Sequence, residues 1–186
     1  MMRTDRKFAD FGRGLPYYCM DTIPEGGMCL SVFLLLSKGA DGSVLLGKVN
    51  PEYEYWSHIG ALDQSRLERF SKAWMIPSRH LILGESPEQA ASTVLREQLG
   101  LDNVQLTDPK VITEVYDIER AGLKNHWDIE FLFFGKVTGD AKPHSAWSEL
   151  RFVDVSSLPD SEFARGHQDI LANAGLRKLK QNSRNP

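Results

Sequence analysis

HLILGESPEQAASTVLREQLGL, residues His80–Leu101, is the stretch on which the fold turns. It reads as a turn at Gly84 feeding an amphipathic helix. Ser86 can cap that helix, Pro87 stands at its first position, where a missing N–H costs nothing, and Gly100 stops it. On a wheel of about 100° per residue, Ala90, Ala91, Val94, Leu95 and Leu99 share one arc. Gln98 falls inside the arc and Glu97 at its edge, while Glu88, Ser92 and Arg96 lie toward or beyond the other edge. Two readings follow. In one, the helix is a half-buried scaffold, Glu97 is a solvated rim residue, and Glu85 complements the helix dipole. In the other, it presents acids to phosphate chemistry. Splitting a phosphoanhydride calls for a divalent cation to neutralise phosphate oxygens and prepare a water. Such a cation wants several oxygen ligands close together. At helical spacing the sequence offers Val94, Glu97 and Gln98, of which one is a carboxylate, and Glu85 could add a second.

The surrounding chain supplies strands. MCLSVFLLLS (Met28–Ser37) is a nearly continuous apolar run of strand length, expected at the centre of a sheet. KGADG is a turn with a hairpin signal at Asp41-Gly42, and SVLLGKV is the partner strand. Residues 51–73 read as an insertion that starts polar and aromatic and then holds a weak helix with Asp63 or Ser65 as cap. MIPSRHLIL is short and extended. KVITEVYDI and WDIEFLFFGKV are further strands joined by the loop ERAGLKNH, and ELRFVDVSSLPD is a late strand with its exit turn. GHQDILANAGLRKLKQ reads as a closing helix that frays past Leu179. The expected class is α+β, a mixed β-sheet core flanked by helices in an α/β/α sandwich. Residues 1–27 form an irregular arm, pinned by Phe8, Phe11, Tyr17 and Tyr18 to a surface or a partner subunit. Residues 28–179 form the domain, and 180–186 a flexible tail.

Composition narrows the function. With 186 residues, 41% hydrophobic and 25% charged, the chain suits one soluble globular domain. Its net charge of −3 argues against a general basic field for nucleic acid. Cys19 and Cys29 have no CxxC spacing and cannot make a disulfide framework, so free thiols and a cytoplasmic setting are expected. No apolar run suggests a secretion signal or a membrane span.

The central stretch resembles the Nudix hydrolase signature, G-x5-E-x7-R-E-U-x-E-E-x-G-U with U aliphatic. Aligned without gaps, Glu85 matches its first Glu, Leu95 its aliphatic position, Glu97 the first of its closing pair, and Gly100-Leu101 its ending. SVFLLL with VLLGKV looks like the family's opening hairpin, and WSELRFVDVSSLPD like its late strand and turn, so the resemblance spans about residues 28–176. It implies the Nudix fold. It also implies hydrolysis, with Mg²⁺ or Mn²⁺, of a nucleoside diphosphate linked to another moiety. Glu97 would be chief metal ligand and Glu85 a supporting ligand or base. The sequence departs from the signature at Arg79 for its first Gly, Thr93 for its Arg, Val94 for the following Glu and Gln98 for the last Glu.

Replacement ligands would have to come from elsewhere. His80, Glu114, His126, Asp128 and Glu130 are candidates, with Asp128 and Glu130 on one strand face by period two. Each also reads as a solvated strand residue or an ion-pair partner. Arg79 and His80 could meet a phosphate directly, or Arg79 could close the old cleft with a salt bridge. Tyr53, Tyr55 and Trp56 could stack on a base or pack the insertion, and Trp74 is expected in the core. Three functions remain: a weak or atypical metal-dependent hydrolase, a module that binds a nucleotide or other phosphorylated ligand with no cofactor, and an oligomerisation unit, as a homodimer.

Overall fold

The computed structural model describes residues 6–9, 27–39, 42–59, 62–116, 126–139 and 141–178; at 6–9, 58–59 and 114–116 this covers the backbone alone. Most of the expected arm, the Asp41 side of the hairpin turn, the 117–125 loop and the 180–186 tail lie outside these residues.

Among the described residues seven strands form one mixed sheet: β1 (Arg6–Ala9), β2 (Met28–Ser37), β3 (Val44–Val49), β4 (Ser78–His80), β5 (Lys110–Tyr116), β6 (Trp127–Lys136) and β7 (Trp147–Val153). Their order is β1-β5-β6-β2-β3-β7, with β4 paired to β2 off this path. β2 and β6 run parallel in unbroken register from Met28↔Trp127 to Ser37↔Lys136, and the other strand-to-strand pairings among the described residues are antiparallel. The expected hairpin partners β2 and β3 share one pair, Ser37↔Val44, and then part. The segment from Met75 to His80 fills the gap. Met75 exchanges backbone hydrogen bonds with Gly47 of β3, and Ser78–His80 pair with Phe33–Ser31 of β2.

β2 is apolar without alternation because it is buried on both sides. Val32, Leu34 and Leu36 face one core, and Phe33 and Leu35 the other. The first core is closed by α3 (Pro87–Thr93) and the π-helical turn Val94–Gln98 that continues it. The second is closed by α4 (His167–Asn173), through Ile170 and Leu171. The architecture is thus an α/β/α sandwich.

The segment 51–73 carries α1 (Trp56–Ile59) and α2 (Gln64–Phe70), the latter capped by Asp63, whose carboxylate accepts the Arg66 N–H. Trp56 is fully buried, 5.1 Å from Trp147 in an edge contact, and donates its indole N–H to the Ala146 carbonyl at 3.0 Å. Trp74 is in the core as expected. Lys48 and Arg151 each lie near its ring, at 4.6 and 4.8 Å from the centroid.

One boundary differs from expectation. α4 ends at Asn173 rather than running toward Leu179, because Gly175 takes a left-handed conformation (φ 80°). The chain then folds back. Buried Arg177 donates to the Leu158 carbonyl at 3.1 Å and to Asp160 at 2.6 Å.

Candidate functional site

The turn before α3 is built around Glu85. Its carboxylate accepts the Ile82 N–H at 3.1 Å and a guanidinium N–H of Arg79, also at 3.1 Å, while Arg79 Nε donates to the His80 carbonyl. The Arg79 side chain is 4% exposed and that of Glu85 16%. Arg79 therefore does not present its charge to a phosphate here. It sits in β4 with its side chain on the α3 side, and its guanidinium is spent on the first acid of the signature. α3 then starts with the full capping box: Ser86 accepts the Gln89 N–H, and the Gln89 side chain accepts the Ser86 N–H.

The second half of the helix carries the positions where acids were missing. Val94 is completely buried among the core residues between α3 and the sheet. Gln98 is 1% exposed and donates its amide N–H to the Ser78 carbonyl at 3.1 Å. A carboxylate at 98 could not donate, and would set negative charge against that carbonyl. These departures are thus a core residue and a strut to β4. Glu97 is half-exposed and pairs with its neighbour Arg96 at 3.0 Å, both in solvent. Tyr53 stands close enough for the Glu97 charge, after burial, to raise its phenol pKa. Tyr55 lies 5.6 Å from Tyr53, ring to ring, and is exposed. The structure therefore brings Tyr53, Tyr55 and Glu97 together at one surface, whereas Trp56 faces the core and offers that surface nothing.

The other candidates lie on the far side of the sheet. His80 pairs with Ser31, Ser31 with Glu130, and Cys29 with Asp128, so these residues share the α4 face, opposite Arg79 and α3. Asp128 is bound to His126 at 3.1 Å, and Glu130 is buried. Glu114 stands opposite Asp128 in the β5–β6 register; its side chain lies outside the described residues. Of these, His80 shares the wall of a cleft with Glu85; among the described residues none forms a metal-binding group with Glu85 and Glu97. Cys29 and Ser31 belong to this group and were missed as site residues. Only the β2–β4 register, which the sequence does not display, puts them beside His80.

A resident hard cation does not fit the α3 side. Glu85 is closed by a guanidinium, Glu97 stands in solvent beside Arg96, and the Gln98 carbonyl oxygen is neutral, buried and without a hydrogen-bond partner among the described residues. Among those residues no three His, Cys, Asp or Glu side chains converge to hold a metal ion. Among the described residues no helix is long and apolar enough to cross a membrane.

No protein-family model and no curated protein matches the chain. Solved structures do. The MutT protein from Methanosarcina mazei Go1 matches with a TM-score of 0.55 at 18% identity, over 80% of this chain and 94% of that one. The E. coli dihydroneopterin triphosphate pyrophosphohydrolase matches with 0.53 at 13% identity, over 81% and 95%. The NUDIX domain of Shewanella oneidensis NrtR, solved with ADP ribose, matches with 0.52 at 17% identity, over 80% and 86%. At these identities the likeness is one of fold. Sheet order, the capped helix on one face and the matched structures agree: this chain has the Nudix hydrolase fold.

Proposed function

We propose that the chain is a Nudix-fold module that binds a nucleotide or another phosphorylated small molecule, with hydrolysis slow or absent. The observation that carries this reading is the use made of the signature positions. Glu85 is neutralised by buried Arg79, and positions 94 and 98 serve packing and a strut. What remains is a surface of exposed Tyr55, half-exposed Glu97 and partly buried Tyr53. Aromatic rings there suit a base or another flat group. The ADP ribose bound to the Shewanella domain is the kind of ligand to try first.

A second reading is an atypical hydrolase of a nucleoside diphosphate linked to another moiety. It is favoured by Glu97 alone, which is half-exposed and could gain a cation when a ligand's phosphates bring further oxygens. Calorimetry of ADP ribose and a nucleoside diphosphate panel, with and without Mg²⁺ or Mn²⁺, separates the two when run beside a phosphate-release assay. Binding that needs no metal, survives Glu97→Gln and weakens in Tyr55→Ala supports the module. Metal-dependent turnover lost in Glu97→Gln supports the hydrolase and overturns the first reading.

A further inference from the structure

On the α4 face of the sheet, Cys29 Sγ lies 2.8 Å from His80 Nδ1. Ser31 Oγ is 3.1 Å from the same nitrogen and 3.9 Å from the sulfur. The β2–β4 register sets His80 opposite Ser31, one position along the face from Cys29, and the β2–β6 register sets Asp128 beside Cys29. Thiol, imidazole and carboxylate thus come from three adjacent strands. Strands hold such groups more firmly than a loop would.

Cys29 and His80 both line a cleft of about 480 Å³. Most of the remaining wall is Met28, Leu30, Leu81, Ile82 and Leu83. Of these, Met28, Leu30, Ile82 and Leu83 are exposed to water, Leu83 fully. An apolar trough beside a thiol is suited to a neutral ligand with a hydrocarbon tail. The Asp128 carboxylate, which already opposes a thiolate at Cys29, disfavours an anionic ligand there.

Burial, and after it the Asp128 charge, push the Cys29 thiol up to about 11, partly offset by a hydrogen bond from Ser31 and the charge of Arg165. The sulfur therefore keeps its proton at neutral pH. It is a poor standing thiolate and needs a base in contact with it when it reacts. His80 Nδ1 is that contact.

We propose that Cys29 is a covalent capture site for apolar α,β-unsaturated carbonyl compounds, with His80 taking the thiol proton. In the step, the sulfur bonds to the β-carbon and the C=C π pair moves toward the carbonyl as an enolate. The sulfur proton passes to His80 Nδ1 and from there to the α-carbon. The product is a thioether. No group leaves and no further reactant is consumed, so the site needs no partner for a departing anion.

The test uses the full chain carrying Cys19→Ser, so that Cys29 is its one thiol, and two probes, 2-nonenal and acrolein. Adducts are located by peptide mass, and rates are divided by those of N-acetylcysteine with the same probe. A normalised rate about tenfold higher for the nine-carbon probe is expected, the worth of roughly two buried methylenes. His80→Gln should slow the reaction by about a hundredfold. The pH profile of the His80-containing protein gives a readout that depends on no further variant. With His80 as acceptor, the rate rises as the imidazole loses its proton and then levels off well below the range in which the free thiol would ionise. No adduct at Cys29, equal normalised rates for the two probes, or a profile climbing unbroken toward pH 11 would each overturn the proposal.

Discussion

The helix between Ser86 and Gly100 has two halves made by different forces. Pro87–Thr93 is organised by neighbours in sequence: a capping box, a proline at the first position and two alanines turned to the core. Val94–Gln98 is organised by what it touches. It widens into a π turn, buries Val94 and Leu95, and ties Gln98 to a carbonyl of β4 twenty residues earlier in the chain. Of the residues that match the Nudix signature, Glu85 stands in the turn before the helix, Leu95 and Glu97 in its second half, and Gly100-Leu101 at its end. Those that depart from it are Arg79 in β4, Thr93 at the end of the first half, and Val94 and Gln98 in the second half, the last two set by the core and by β4. A fold signature and a catalytic signature can therefore separate within one helix.

The strongest way to break this contrast is Val94→Glu. It restores the family residue but places a carboxylate in a site with no exposure, so it should cost about 4 kcal/mol or more in urea unfolding. A variant that keeps full stability and gains Mg²⁺-dependent turnover would show that the helix can turn this position outward. Arg79→Met comes next. It strands the Glu85 carboxylate, which is mostly buried, and a loss of about 3 kcal/mol is expected. If stability holds while phosphate-ligand affinity collapses, Arg79 serves a ligand and not the turn.

Gln98→Glu replaces an amide donor with an acceptor facing the Ser78 carbonyl, for about 2 kcal/mol. An unchanged melting temperature would refute the strut. Ser86→Ala removes a cap in the locally determined half and should cost about 1 kcal/mol. Arg96→Ala breaks a pair in which both side chains are more than a third exposed, and a change under about 0.5 kcal/mol is expected. A larger loss there would mean that Glu97 has a structural duty.

Much of this was legible. The capped start of α3, the stop at Gly100, the doubly buried β2 and the Asp63 cap all rest on residues within a few positions of one another. The apolar arc was correct even for Gln98, which sits inside it and is buried. The α4 boundary was not, because the extended helical reading passed over Gly175 and could not foresee Arg177 folding back to Leu158 and Asp160. Nor could pattern alone separate the insertion's aromatics. Trp56 and Tyr55 are adjacent, yet one packs edge-on against Trp147 and the other stands in water.

The sequence by itself determined the elements and the fold, since caps, turns and apolar periodicity act over a few residues and are written where they act. Tertiary structure decided the chemistry. Whether Glu85 is a ligand or half of an ion pair depends on a guanidinium from β4. Whether Cys29 is an isolated thiol or half of a thiol–imidazole pair depends on how β4 aligns with β2. Register between strands fifty residues apart is a sum of many small packing energies, and no single residue in either strand records it.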